Sequence, residues 1–396
     1  MKRNKQHPHK GGFFVVTSRA LIISVVVVFM MSSAIAVVSY SAFKDQFRSS
    51  IIYQTLSNYK AQSLFYLITQ ENHHFAQALE SDFQPVPFSS VALELATNIR
   101  ARDVRSLLGS ELPGFRKFDT NIIIAGEGTD YTNIPQESSP PLETILEERE
   151  LAKKEVETYE ENEKSRENAP PPTMTTGERK VVYLYHTHSW ESYLPLLGME
   201  GEANANKAVD NKTNITLVGD ILGKELEARG IGSTVDKTNM TQKLGERKWK
   251  APKSYMMSRE IVASAMQQNQ HLTYFIDIHR DSLRKDKTTA TVNGKSYAKT
   301  VFVLGEGNKN YEQNLQLVKD LHERLEAKYP GLSRGVFSQP KTSGRNGVYN
   351  QDLSPNAILV EMGGVDNNME ELTNSAKALA DVFSEMYWEA EKVNVQ

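Results

Sequence analysis

Apolar positions fall into two alternating patterns from residue 179 onward: short continuous apolar runs, and longer stretches in which apolar residues recur every three or four positions. The first marks a strand buried on both faces, the second an amphipathic helix. Residues 181–185 read as a buried strand. After Thr213-Asn214, Ile215, Val218, Leu222 and Leu226 share one helical face, and Gly230 closes the helix. Residues 231–235 read as a strand, 254–268 as a helix and 272–278 as a second continuous apolar strand. Asn293-Gly294 inside residues 289–304 signals a hairpin turn. A helix over 311–329, with Leu315, Val318, His322 and Leu325 in register, stops at Pro330-Gly331. A strand over 357–360 and a striped helix over 368–392 complete the pattern. Strands alternating with helices predict an α/β fold, a twisted, mostly parallel sheet flanked by helices, over residues 179–396.

The preceding chain is different. Residues 20–43 are apolar and uncharged, and residues 1–19 carry Lys2, Arg3, Lys5, Lys10 and Arg19 with no acidic residue. That predicts a single transmembrane anchor with a cytoplasmic basic tail and the remainder outside the cytoplasm. Ala34-Ile35-Ala36 resembles a signal cleavage site, but the apolar run is longer than a signal peptide needs. Residues 44–134 read as a mainly helical membrane-proximal domain, with Ile51, Ile52, Leu56, Leu64, Phe65 and Ile68 giving a partial stripe and a second stretch at 91–108. Its adjacent His73 and His74 project to different sides of a helix and suggest no chemistry. The apolar segment 121–126 reads equally as a strand or a partner-binding segment. Residues 135–178, acidic and bounded by prolines, read as a linker whose middle forms a solvated helix and whose role is reach.

Composition narrows the chemistry. The 396-residue chain has a formal net charge of −3, so it presents no basic field for nucleic acid. It contains no cysteine, so disulfide and thiolate chemistry are excluded and any metal must be held by His, Asp or Glu.

Such residues cluster at 185–193, Tyr-His-Thr-His-Ser-Trp-Glu-Ser-Tyr. Alternation along a strand predicts that His186 and His188 point the same way, with Glu191 close behind. The second strand ends in His279-Arg280-Asp281 and the last in Glu361. Sites in open α/β sheets form at the carboxyl ends of strands, so His188, His279 and Glu361 are expected to converge. His271 precedes its strand and belongs at the opposite edge, and His322 lies in a helical pattern. His188, His279 and one carboxylate make the His₂Glu set of a catalytic zinc. Glu191 is the nearest third ligand; His186, Glu200, Glu202 and Asp210 are alternatives. Glu361 is then left free as the acid-base residue. Asp277 and Asp281 are candidate partners for imidazole N–H groups. The competing reading is a structural one, in which His279 pairs with Asp281 and Glu361 with Arg280.

At these residues the chain resembles the stage II sporulation protein P family of endospore-forming bacteria, over nearly its whole length. The resemblance is carried by 185–193, by Asp277-Ile278-His279-Arg280-Asp281 and by Leu359-Val360-Glu361-Met362-Gly363-Gly364. Residues 179–396 are similar, more distantly, to the zinc-dependent N-acetylmuramoyl-L-alanine amidases of the amidase_3 type, through the two histidines and the segment holding Glu361, Gly363, Asn367 and Glu370. The resemblance implies a zinc peptidoglycan hydrolase cutting the muramoyl-L-alanine amide, with His188 and His279 as ligands and Glu361 as catalytic glutamate. The third ligand, placed at Glu191, sits in a local pattern that departs from the amidases. The resemblance further implies cross-link endopeptidase activity, stage II sporulation proteins D and M as partners, and a location in the space between mother-cell and forespore membranes. The rival from another class is a septal scaffold that binds wall or partners without catalysis.

Overall fold

The computed structural model describes residues 120–137, 146–167, 171–341 and 345–394. The basic tail, the anchor and nearly all of the membrane-proximal domain, with His73 and His74, lie outside the described residues. Among the described residues no helix is long and apolar enough to cross a membrane.

The elements run β1 (Asn121–Ala125), α1 (Lys153–Glu167), β2 (Val182–Tyr185), α2 (Thr216–Ala228), β3 (Ser233–Val235), α3 (Met240–Glu246), α4 (Ser254–Gln268) and β4 (Tyr274–Asp281). Then follow α5 (Lys285–Thr288), β5 (Thr289–Val292), β6 (Lys295–Ala298), β7 (Thr300–Gly305), α6 (Tyr311–Lys328), β8 (Ser333–Gln339), β9 (Ala357–Gly364) and α7 (Met369–Asn394). Seven strands form one sheet in the order β1-β8-β7-β9-β4-β2-β3. The block β3-β2-β4-β9 is parallel. Strand β7 runs antiparallel to β9 and parallel to β8, and β1 is antiparallel to β8. The sheet is therefore mixed. A parallel neighbour needs a crossover back to the opposite edge. Between β4 and β7 the chain makes only α5 and the β5–β6 hairpin, turning at Asn293 and Gly294 with positive φ of 49° and 78°, so β7 runs back the other way.

Alternation along the strands sorts side chains to two faces. Val182 and Leu184 of β2, Ile276 and Ile278 of β4, and Ile358, Val360 and Met362 of β9 join one continuous core with α2, α6 and α7. The other face carries Tyr183, Tyr185, Phe275 and Ala357, which pack with Val262 of α4. Asp277, His279 and Glu361 fall on this second face, and all three are buried.

One segment settles an open alternative and another departs from the sequence reading. The open case at 121–126 resolves into β1, an edge strand of the sheet. The middle of the segment read as a solvated linker is docked as α1. Its Glu155 is buried and accepts the Met369 N–H of α7 at 2.6 Å, serving a helix N-terminus whose first N–H groups have no internal partner. Tyr159 donates to Asp220 at 3.0 Å, and Arg166 bonds Glu225 at 3.1 Å. Charges satisfied against α2 and α7, with Tyr159 packed on the main core, hold this largely polar helix on the domain.

Candidate metal centre

Strand β2 stops at Tyr185 and the chain enters a turn over 187–190, closed by Glu191 N–H donating to His188 C=O at 2.9 Å. This turn separates the two histidines that alternation along a strand would have aimed together. His186 points into the main core, where its Nδ1 sits 3.2 Å from Ile278 C=O and its ring lies over α2. A Cβ on Gly219 would come within 2.3 Å of His186 Nε2, so the helix accepts the ring only because that position is glycine. Burial pushes the His186 imidazole down to about 4, and it is excluded from the site. The turn instead delivers His188 and Glu191 to the β4 face.

His188, Glu191 and His279 bring their ligand atoms within 4.8 Å of one another. His188 Nδ1 is 3.3 Å from Glu191 Oε1, and His279 Nδ1 is 3.5 Å from Glu191 Oε2. The Arg280 N–H fixes the carboxylate by donating to Glu191 Oε2 at 3.0 Å. Glu191 and His279 are buried and the His188 side chain is 12% exposed, so the cluster's most open side is at His188. Burial alone would raise the Glu191 carboxyl, but its contacts with both histidines hold it far below the carboxylate range.

On the far side of His279, Nε2 lies 3.1 Å from Asp277 Oδ1, as expected for an imidazole partner, although the N–H is not aligned and Nε2 makes no hydrogen bond. Burial opposes charge on this imidazole; the Asp277 and Glu191 carboxylates outweigh it and raise His279 well above its usual range. Asp277 is itself pinned by the Thr187 N–H at 2.9 Å and hydroxyl at 2.6 Å. Thr187 Oγ1 is 2.8 Å from Ser258 Oγ, to which Asn350 Nδ2 donates at 2.9 Å. Asp281 does not serve a histidine: it holds Arg334 at 2.6 Å and the Gln136 N–H at 3.1 Å.

Glu361 is the register partner of His279 across β4 and β9, so the two side chains stand side by side. It lies inside the strand, not past its end, because β9 continues to Gly364. Its Oε2 is buried and has no hydrogen-bond partner, and the Arg280 guanidinium instead donates to the carbonyls of Asp281 and Ala208 at 3.0 and 3.2 Å. Burial and the nearby Glu191 charge push the Glu361 carboxyl well above the carboxylate range, against the opposing pull of His279. Beyond the strand, Asn367 accepts the Gly364 N–H at 2.7 Å and braces the segment.

The remaining candidates do not enter the cluster. Glu200 is exposed, Glu202 pairs with Lys207 at 2.6 Å, and buried Asp210 accepts from the Lys212 and Thr213 N–H groups at 2.7 and 2.9 Å. His271 is exposed ahead of β4, and His322 on α6 lies 2.7 Å from Ser333 Oγ.

The aromatic surround was not legible in the sequence. Trp190 stacks on His188 with centroids 4.9 Å apart. Tyr255, in the first turn of α4, packs edge-on to His188 at 5.4 Å and stacks against His279 at 6.2 Å. No spacing rule distinguishes such a tyrosine from an ordinary core aromatic. Burial keeps its phenol protonated far above neutral pH.

The donor set, two imidazole nitrogens and a carboxylate oxygen without sulfur, fits a zinc ion. Charge supports the fit. Glu191 and Glu361 bury two carboxyl groups at the cluster, and a cation there would offset the Glu191 charge that pushes Glu361 up.

The fold and cluster together define an α/β protein with a metal-competent His₂Glu centre and a free glutamate beside it. A sequence profile described as Stage II sporulation protein P matches residues 102–384. Stage II sporulation protein P of Bacillus subtilis (strain 168) is 47% identical over 386 residues, covering 97% of this chain and 94% of that protein. The chain belongs to the Stage II sporulation protein P family. Among solved structures, a metallo-carboxypeptidase from Burkholderia cenocepacia is similar at 13% identity and a TM-score of 0.28, over 54% of this chain and 58% of that one. A likeness that slight carries no argument about chemistry.

Proposed function

We propose that the protein is a zinc-dependent peptidoglycan hydrolase of sporulation, cutting the amide between the muramoyl lactyl group and the L-alanine of the stem peptide. The observation that carries this reading is the convergence of His188, Glu191 and His279 within 4.8 Å, with Glu361 beside His279 in register. His188, Glu191 and His279 hold the zinc, which when bound supplies a Lewis acid and acidifies water. Asp277 orients His279, and the Thr187 hydrogen bonds orient Asp277. Glu361 accepts the proton of the attacking water and returns it to the leaving alanine nitrogen; its place beside His279 and its unpartnered Oε2 suit both tasks. The more open side at His188 admits the wall strand.

The family resemblance supports the setting. The apolar run 20–43 anchors the chain in the membrane with its N-terminus cytoplasmic, and residues 179–396 act between the mother-cell and forespore membranes. Peptidoglycan is the substrate, and stage II sporulation proteins D and M are the partners. Cross-link endopeptidase activity is a second reaction of the same site. The test is calorimetric zinc titration of the full chain beside His279→Ala, with amino-end analysis of digested wall. One zinc per chain, lost in the variant together with release of L-alanine amino ends, is expected. Hydrolysis that survives loss of the metal would contradict the reading.

A further inference from the structure

Among the buried polar atoms without hydrogen-bond partners are His279 Nε2, Glu361 Oε2 and the Tyr255 hydroxyl, all three at the metal cluster. The first faces Asp277 and the second is the acid-base carboxylate. The third has no place in the chemistry described so far. A buried phenol ordinarily finds an acceptor, and one left without invites a functional explanation.

The position of Tyr255 is fixed from several sides. Its ring stacks against His279 with a 17° interplanar angle, stands edge-on to His188 at 69°, and is edge-on to Tyr349 at 68°. Tyr349 is not a second orphan, because its hydroxyl bonds Gln339. Asn350, adjacent to Tyr349, donates to Ser258 one turn along α4 from Tyr255. Helix α4 is thus tied to the same buried chain that positions Asp277. The ring is held against both histidines while its hydroxyl is left without an internal acceptor.

We propose that the Tyr255 hydroxyl is the hydrogen-bond donor to the carbonyl oxygen of the scissile amide, complementing Glu361 as the acceptor. This rests on the hydrolase reading above. As water oxygen bonds to the carbonyl carbon, Glu361 takes one water proton and the C=O electron pair moves onto oxygen. Tyr255 donates to that oxygen without losing its proton. The pair then re-forms C=O, the C–N bond breaks, and Glu361 passes its proton to the departing nitrogen, leaving a lactyl carboxylic acid and an alanine amine; the acid's proton then passes to the amine, giving carboxylate and ammonium. A preorganised donor aimed at developing negative charge acts mainly in the transition state, so it governs kcat more than KM.

The test uses the full chain with Tyr255→Phe, which keeps the ring contacts and removes only the oxygen. Three readouts are taken: kcat and KM on a muramoyl-peptide, zinc content, and calorimetric affinity for a phosphinate analogue of the lactyl-alanine amide beside the free stem-peptide product. The expectation is a kcat reduced about 10²-fold or more, unchanged KM and zinc content, and an analogue bound at least tenfold more weakly with product affinity unchanged. An unaltered kcat in a wild-type-active preparation would overturn the Tyr255 assignment alone. Equal losses of analogue and product binding would reduce Tyr255 to a packing residue. A wild-type chain that neither cleaves the amide nor binds the analogue would overturn the assignment and the hydrolase reading together.

Discussion

His279 and Glu361 are register partners on adjacent parallel strands, so a candidate ligand and a carboxylate with one unpartnered oxygen stand side by side at the centre of the sheet. The arrangement separates holding the metal from moving the proton. Glu361→Gln should therefore keep its zinc and lose about 10²–10⁴-fold in turnover. Metal content and rate measured on the same sample check this, and loss of zinc in the variant would make Glu361 a ligand.

Asp277 stands behind His279 at 3.1 Å. Asp277→Asn should weaken zinc binding by about 10–100-fold, because the carboxylate sets the orientation and basicity of the imidazole. Competition against a fluorescent chelator reads the affinity directly. Thr187→Val should show a smaller loss in the same direction.

The buried pair Arg334–Asp281, 2.6 Å apart, ties β8 to the end of β4, and Arg334 also donates to Asn133 C=O. Arg334→Ala leaves Asp281 charged and buried. A loss of about 3–5 kcal/mol in denaturant unfolding is expected, whereas the double change Arg334→Met with Asp281→Leu should recover much of it.

His322 tests the acid side of stability away from the metal site. Burial lowers its imidazole below the ordinary range, so folded His322 stays neutral where the unfolded chain, titrating near ~6.5, takes up a proton. The unfolded state then binds more protons, and stability is lost as pH falls through the imidazole range. His322→Gln should flatten that part of the melting-temperature profile, and an unchanged slope would remove His322 as the cause.

Much of the core was legible because β2, β4 and β9 are continuous apolar runs and because His188, His279 and Glu361 sit at or near their carboxyl ends. The Asn293-Gly294 turn was legible for its backbone chemistry. The fate of His186 was not, since the chain turns after Tyr185, whereas a face shared with His188 would need the strand to run on through 188. Strand β8 escaped because Arg334 and Ser338 interrupt its apolar pattern, and they are buried only through distant partners, Asp281 and Glu306. Helix α1 read as solvated because nothing local shows that Glu155 will be buried against the start of α7. For β8 and α1 the missing information is a long-range polar contact, which leaves no periodic trace.

The most direct test of the central claim is mass spectrometry of the products when the full chain digests peptidoglycan, with and without a chelator. Stem peptides with free L-alanine amino ends, absent after chelation and restored by zinc, are the predicted result. Intact muramoyl-peptide linkages after digestion by a folded, zinc-loaded chain would contradict it.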